Sequence, residues 1–179
     1  MVGNIPIEPI DRVHIGIDPG VSKSALVELF PNNADHPIGT KLLLPPDELI
    51  AAIEDMVGGW SGNARLTIEK PQAYAGPARP SVLDTMLMAG RIVQIAADND
   101  IYWSLVTPKE IGVRLCEKAN ARLSEKRQQL IMLWGKPGTK KEPGGTYGVV
   151  KDMWSALAVA TKDWLDDGES TVGTTPPCP

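Results

Sequence analysis

Val13-His14-Ile15-Gly16-Ile17-Asp18-Pro19-Gly20 is an apolar run that stops on an acid and turns through Pro-Gly, and a second apolar run follows it, Val21-Ser22-Lys23-Ser24-Ala25-Leu26-Val27-Glu28-Leu29. The pattern predicts two strands, about 13–18 and 24–30, with the Asp18 carboxylate at the exit of a central strand. Another apolar run ends the same way, in Leu66-Thr67-Ile68-Glu69-Lys70-Pro71. A third acid, Asp152, opens an alanine-rich helical stretch. Two strand ends and a helix start thus deliver one carboxylate each, a set suited to a divalent cation.

Outward from this stretch, Pro31-Asn32-Asn33-Ala34-Asp35 reads as a turn into a third strand, Ile38–Leu44, which completes an antiparallel meander. Pro45-Pro46-Asp47 opens a helix over about 47–58, with Leu49, Ile50, Ile53 and Val57 at helical spacing and Gly58-Gly59 as its stop. Strand four spans 65–70 and a Pro/Ala/Gly-rich loop follows. Ser81 can cap a long helix over about 82–98. Strand five is Ile101–Val106, a basic helical region runs from Thr107-Pro108 to about Leu115, and another helix spans Ala121 to Trp134. Residues 135–145 are too rich in Gly and Pro for regular structure and read as a mobile loop. The last helix runs over about 149–165, and 166–179 reads as a flexible acidic, Pro-rich tail. The expected fold class is α/β, a ribonuclease-H-like mixed five-stranded sheet with helices on both faces, in a single domain over 1–165.

The 179 residues, 42% apolar and 22% charged, are enough for one core. No apolar run reaches the roughly 18 residues of a spanning helix, and Met1 to Ile10, with two prolines and Glu8, does not read as a signal peptide. A cytoplasmic protein is the expectation. Cys116 and Cys178 stand far apart, offering neither a disulfide framework nor a zinc spacing. Of the two histidines, His14 falls inside the first strand and reads as a core residue, so histidine chemistry is not expected.

The net charge of −4 hides segregation. Between Thr107 and Glu142 nine basic residues (Lys109, Arg114, Lys118, Arg122, Lys126, Arg127, Lys136, Lys140, Lys141) face four acids, so that this segment is net +5 and the remainder net −9. A solvated helix face or a phosphate-binding surface both fit that segment.

Hydrolysis of a phosphodiester by water needs a cation to lower the pKa of the water and another to neutralise the leaving oxygen. Mg2+ takes a few carboxylates and keeps several waters, so three converging acids suffice. Asp18 and Glu69 converge if strands one and four are neighbours, and Asp152 joins them if the last helix starts above the same sheet edge. Singly, each acid has a plainer reading: Asp18 as a turn residue, Glu69 with Lys70 as a strand-end pair, Asp152 as a helix N-terminal acid.

Ile15-Gly16-Ile17-Asp18-Pro19-Gly20, Ile68-Glu69 and Asp152-Met153-Trp154-Ser155-Ala156-Leu157-Ala158-Val159-Ala160 together resemble the RuvC family of Holliday-junction resolvases, over about 13–165. Ser124-Glu125-Lys126-Arg127-Gln128 resembles the family segment in which a lysine assists at the scissile phosphate. The resemblance implies a homodimeric crossover-junction endodeoxyribonuclease, dependent on Mg2+ or Mn2+ with two ions per site, that nicks opposing strands of a four-way DNA junction. Its compactness fits a phage or prophage enzyme in a bacterial cytoplasm. On this reading Asp18, Glu69 and Asp152 are metal ligands and catalytic, Lys126 is catalytic, and the basic residues of 109–141 bind DNA. The dimer helix would be 82–98, with Met86, Met88 and Gly90 suited to close contact. The family has a second acid where Ser155 stands, and Ser155 becomes a ligand through water. An aromatic wedge in the loop after Glu69 maps nearest to Tyr74.

Two rivals follow from the same residues. One is a catalytically weak or inactive RuvC-like protein that binds branched DNA, for which Ser155 is the argument. The other is a sugar-kinase or actin-like ATPase, whose first strand also ends in Asp before a Gly-containing hairpin, but which needs two such domains.

Overall fold

The structure is a computed structural model and describes residues 12–60, 62–71 and 80–170. Five strands, β1 (Val13–Asp18), β2 (Ser24–Leu29), β3 (Ile38–Leu44), β4 (Ala64–Glu69) and β5 (Tyr102–Val106), form one mixed sheet in the order β3-β2-β1-β4-β5. The first three are antiparallel, and β4 and β5 run parallel to β1. This is the α/β architecture the sequence predicts.

Strand alternation sorts the side chains onto two faces. Ile15, Ile17, Leu26, Leu66 and Ile68 face helices α1 (Pro46–Met56) and α2 (Pro80–Asp98) in one core. Ala25, Val27 and Leu29 face the other core with α3 (Pro108–Cys116), α4 (Leu123–Trp134) and α5 (Met153–Ser170). On that second face β1 presents His14, Gly16 and Asp18. Helix α5 lies along it in a fixed register. Ser155 acts on the Asp18 carboxyl, lowering its pKa, Gly16 is against Ala156 and Ala160, and His14 Nδ1–H donates to Asp163 at 2.7 Å. Eight helical residues rise about 12 Å, and four strand residues about 13 Å, so the three contacts close together.

Gly16 is what lets the helix lie so near. A Cβ there would stand 2.0 Å from the Ala156 carbonyl oxygen and 2.6 Å from the Ala160 nitrogen. At the far end Arg65 also binds Asp163, Nε to Oδ2 at 3.0 Å, and Arg12 binds Asp167 at 2.8 Å. Burial alone would raise the Asp163 pKa, but the hydrogen bonds from His14 and Arg65 outweigh it and hold the carboxyl at about 2.

Several boundaries differ from the sequence reading. Pro80 occupies the first turn of α2, so Ser81 lies inside the helix, where its carbonyl accepts from Thr85 Oγ1 at 2.8 Å rather than capping. Helix α5 starts at Met153, not 149, because Gly148 (φ +81°) and Lys151 (φ +48°) are left-handed. It also continues to Ser170, and Asp166 pairs with Lys162 at 2.7 Å and Arg114 at 3.0 Å. Residues 166–170 are therefore helix, not tail; 171–179 lie outside the described residues. The 135–145 loop is irregular but folded back on itself, with Thr139 N donating to Glu142 O and Gly144 N to Pro137 O, both at 2.9 Å. A Cβ at Gly144 would lie 1.9 Å from the Lys136 oxygen, so this close turn needs glycine.

Two outcomes test the register of α5. Gly16→Ala should lower stability by roughly 2–3 kcal/mol through overpacking, read from denaturant midpoints. Asp163→Asn should lower it by about 2–3 kcal/mol at pH 7. Because the folded pKa is depressed, that difference is fully present above about pH 4 and vanishes as pH falls toward about 2; urea melts of both proteins over this range check it.

Candidate active site

Parallel pairing of β1 and β4, with Ile17 opposite Ile68, sets Asp18 and Glu69 side by side at the carboxyl ends of the two central strands. Both point to the face that α5 covers, by the same alternation that sends Ile17 and Ile68 to the opposite core. Neighbouring strands are about 4.8 Å apart, so the two carboxylates are held together by the backbone. Asp152, exposed, stands one residue before α5, and its carbonyl accepts from Ala156 N at 3.1 Å. Lys126 is buried on α4, 9% exposed, and its charge lowers the pKa of both Asp18 and Glu69.

These groups are electrostatically coupled. Burial, then the Glu69 and Asp152 charges, push Asp18 up to about 7, against the hydrogen bond from Ser155 and the charge of Lys126. Burial also raises Glu69, and Lys126 again opposes it. An acid that resists ionisation because of burial and like-charged neighbours is one that a bound cation would stabilise. The donors are oxygens only, which suits Mg2+ or Mn2+. Among the described residues no group of three or more His, Cys, Asp or Glu is placed to hold a metal ion, so a cation here would rest on the paired strand-end acids Asp18 and Glu69 with waters completing its shell.

A cleft of about 330 Å³ between α1, α2 and the turn after β1, bordered by Gly20, Ile50, Asp84 and Arg91, contains none of these four groups. The acids lie outside this cleft, Asp18 and Glu69 at the carboxyl ends of β1 and β4 and Asp152 just before α5.

Of the basic residues expected to meet DNA, Lys109, Lys118, Arg122, Arg127, Lys136, Lys140 and Lys141 are exposed. Lys118 pairs with Glu125 at 2.7 Å, and the Arg127 guanidinium lies 4.6 Å from the centre of the Trp154 ring. Two behave differently. Arg114 is half-buried, donating to the Leu165 carbonyl at 2.7 Å as well as pairing with Asp166, so it ties α3 to α5. Lys126 is turned inward toward the acids. Tyr74 lies outside the described residues. Sequence reasoning passed over Lys23 and Lys151 and took Lys70 only as a strand-end partner, yet all three are exposed. Lys70 adjoins Glu69 and Lys151 adjoins Asp152, a signal missed because basic residues were weighed only over 107–142.

No family model matches the chain, and no curated protein matches it by sequence. Solved structures do. A Thermus thermophilus RuvC structure superposes with a TM-score of 0.62 at 16% identity, over 89% of this chain and 97% of that one. Thermus thermophilus RuvC in complex with a Holliday junction substrate superposes with a TM-score of 0.70 at 14% identity, over the same shares. The chain has the RuvC fold. In this fold the strand ends carrying Asp18 and Glu69 lie side by side, and the Asp152 charge acts on Asp18.

Asp18→Asn removes the carboxylate that burial and the charges of Glu69 and Asp152 disfavour. Without divalent ions it should raise stability at pH 8 by about 1–2 kcal/mol, seen as a higher thermal midpoint.

Proposed function

We propose that this chain is a divalent-metal-dependent endonuclease that resolves four-way DNA junctions as a homodimer. The observation that carries the reading is the coupled set of Asp18, Glu69 and Asp152 with the inward Lys126 at one sheet edge. The fold shared with a RuvC that was solved on a Holliday junction supports the choice of substrate.

Asp18 and Glu69, with Asp152 and waters, would hold Mg2+ or Mn2+. When bound, the ion supplies an acidified water and charge neutralisation at phosphorus. Water adds to phosphorus, one P–O ester bond breaks, and the leaving oxygen takes a proton. Lys126 presents its ammonium to the charge that develops on the phosphate oxygens. Ser155 orients Asp18. The exposed cations of α3, α4 and the 135–148 loop, together with Lys23, Lys70 and Lys151, hold the flanking phosphates, and Tyr74 stacks on a base.

For the dimer, α2 offers an apolar stripe, Leu83 at 50% and Leu87 at 70% exposure, with Met86 beside it and open space at Gly90. Met88, expected in that contact, is in the core, where Ser24 Oγ donates to its sulfur at 3.1 Å. No helix among the described residues is long and apolar enough to cross a membrane, and the bacterial cytoplasm is the proposed setting. The rival of a DNA binder with little or no activity keeps Ser155 as its argument.

A synthetic four-way junction and a linear duplex of the same sequence, each with Mg2+, Mn2+ or EDTA, test the reading. Paired nicks in the junction alone, abolished by EDTA, are expected. Tight junction binding without nicks would favour the rival, and equal cutting of the duplex would remove the junction selectivity. Substituting Lys140 and Lys141 by Ala should weaken junction binding and reduce the slope of log affinity against log salt by about 2.

A further inference from the structure

Helix α4 is fastened along α5 by one face. Arg127, Leu130 and Trp134 recur there at helical spacing: Arg127 meets Trp154, Leu130 is fully buried in the core, and Trp134 Nε1–H donates to Thr161 Oγ1 at 2.9 Å. The Trp154 side chain is 4% exposed, and the Arg127 guanidinium lies over its ring, 4.6 Å from the centre. Arg127 is nonetheless exposed. Other exposed cations have found a carboxylate, Lys118 with Glu125 and Arg91 with Asp47. Arg127 makes no hydrogen bond or ion pair among the described residues, and the positions one turn away on its own helix, Leu123, Ser124, Leu130 and Ile131, offer no acid.

Contact with an aromatic face restrains a guanidinium without using any of its five N–H donors. A planar fork restrained in this way matches the two free oxygens of a phosphodiester, which an ammonium meets only as a point charge. Trp154 lies between Asp152 and Ser155 in the chain, and Arg127 follows Lys126 on α4. Successive helical residues point about 100° apart, so Arg127 addresses a different phosphate from Lys126. We propose that Trp154 is a positioning residue that holds the Arg127 guanidinium toward solvent as a two-pronged clamp on one DNA phosphate beside the acids. The inference rests on the junction-binding part of the proposed function and deepens it by setting one cation of the basic surface apart from the rest. The others contribute charge. Arg127 contributes charge in a fixed place, which sets the register of the strand along the acids.

Affinity of the full chain for a synthetic four-way junction in EDTA, measured by fluorescence anisotropy over a salt series, tests the clamp. Arg127→Met should weaken binding about tenfold and lower the slope of log affinity against log salt by about 1. Arg127→Lys keeps the charge and loses the plane, so the slope should stay as in wild type while affinity falls about fivefold. Trp154→Leu should cost as much as Arg127→Lys and nothing further when added to Arg127→Met. Trp154→Phe, which keeps an aromatic face, should bind within about twofold of wild type. Junctions with a neutral methylphosphonate at each phosphate around the branch point in turn should weaken wild type at one position, where Arg127→Met loses nothing more. Arg127→Lys binding as wild type does, or additive losses from the two sites, would overturn the clamp and leave the nuclease reading standing. Wild type that binds the junction without nicking it in Mg2+ would overturn the nuclease reading and leave the clamp, and absence of junction binding would overturn both. If Trp154→Leu loses its circular dichroism spectrum, the variants at exposed Arg127 decide alone.

Discussion

The contact between Gly16 and the backbone of Ala156 and Ala160 sets the position of everything chemically interesting in this protein. A helix lying on a sheet is normally held off by a layer of side chains. Here the central strand has none at the contact point, and the helix answers with alanines. That close approach fixes α5 in rotation and in translation along β1. It brings Ser155 to Asp18 at one end and Asp163 to His14 and Arg65 at the other. The two ends have opposite electrostatic character. At the Asp163 end acids meet bases and one carboxyl is held at about 2; at the Asp18 end acids meet acids and one is driven to about 7. The first end anchors the helix, which allows the second to be held in an arrangement that opposes folding.

That opposition is the expected price of a cation site. Carboxylates that repel one another in the protein alone become favourable once a cation stands among them, so the free energy lost on folding returns as affinity. Lys126 offsets part of the repulsion in advance. Exposed cations line α3, α4 and the loop after them.

No family model and no curated protein matches by sequence, whereas superposition onto RuvC reaches a TM-score of 0.70 at 14% identity. The two results are compatible because the fold depends on alternation of apolar residues in strands, on a glycine where helix and sheet touch, and on turn chemistry. Many residues satisfy the first requirement, and the other two involve few positions. The acids at the strand ends are short signals in a chain otherwise free to vary.

Those short signals were nevertheless legible. Apolar runs ended by acids and turn residues marked the strands at about 13–18, 24–30 and 65–70, and the order of strands and helices pointed to the mixed sheet, because local pattern and connection length leave few alternatives. Asp18 and Glu69 could be named as neighbours because both end apolar runs that must be central. What sequence alone left undecided was direction and depth. Arg114 stood as one DNA-binding cation among nine, and Lys126 was singled out by resemblance with no depth assigned; only packing of α3 and α4 against α5 buried Lys126 and bound Arg114 to Asp166 and Leu165. The αL turns at Gly148 and Lys151 that delay α5, and the ion pairs that extend it through Asp166 and Asp167, depend on partners as far away in the chain as Arg12. Burial and ion pairing are properties of where distant segments meet, and a linear pattern carries the face a residue belongs to but not what the fold sets opposite it.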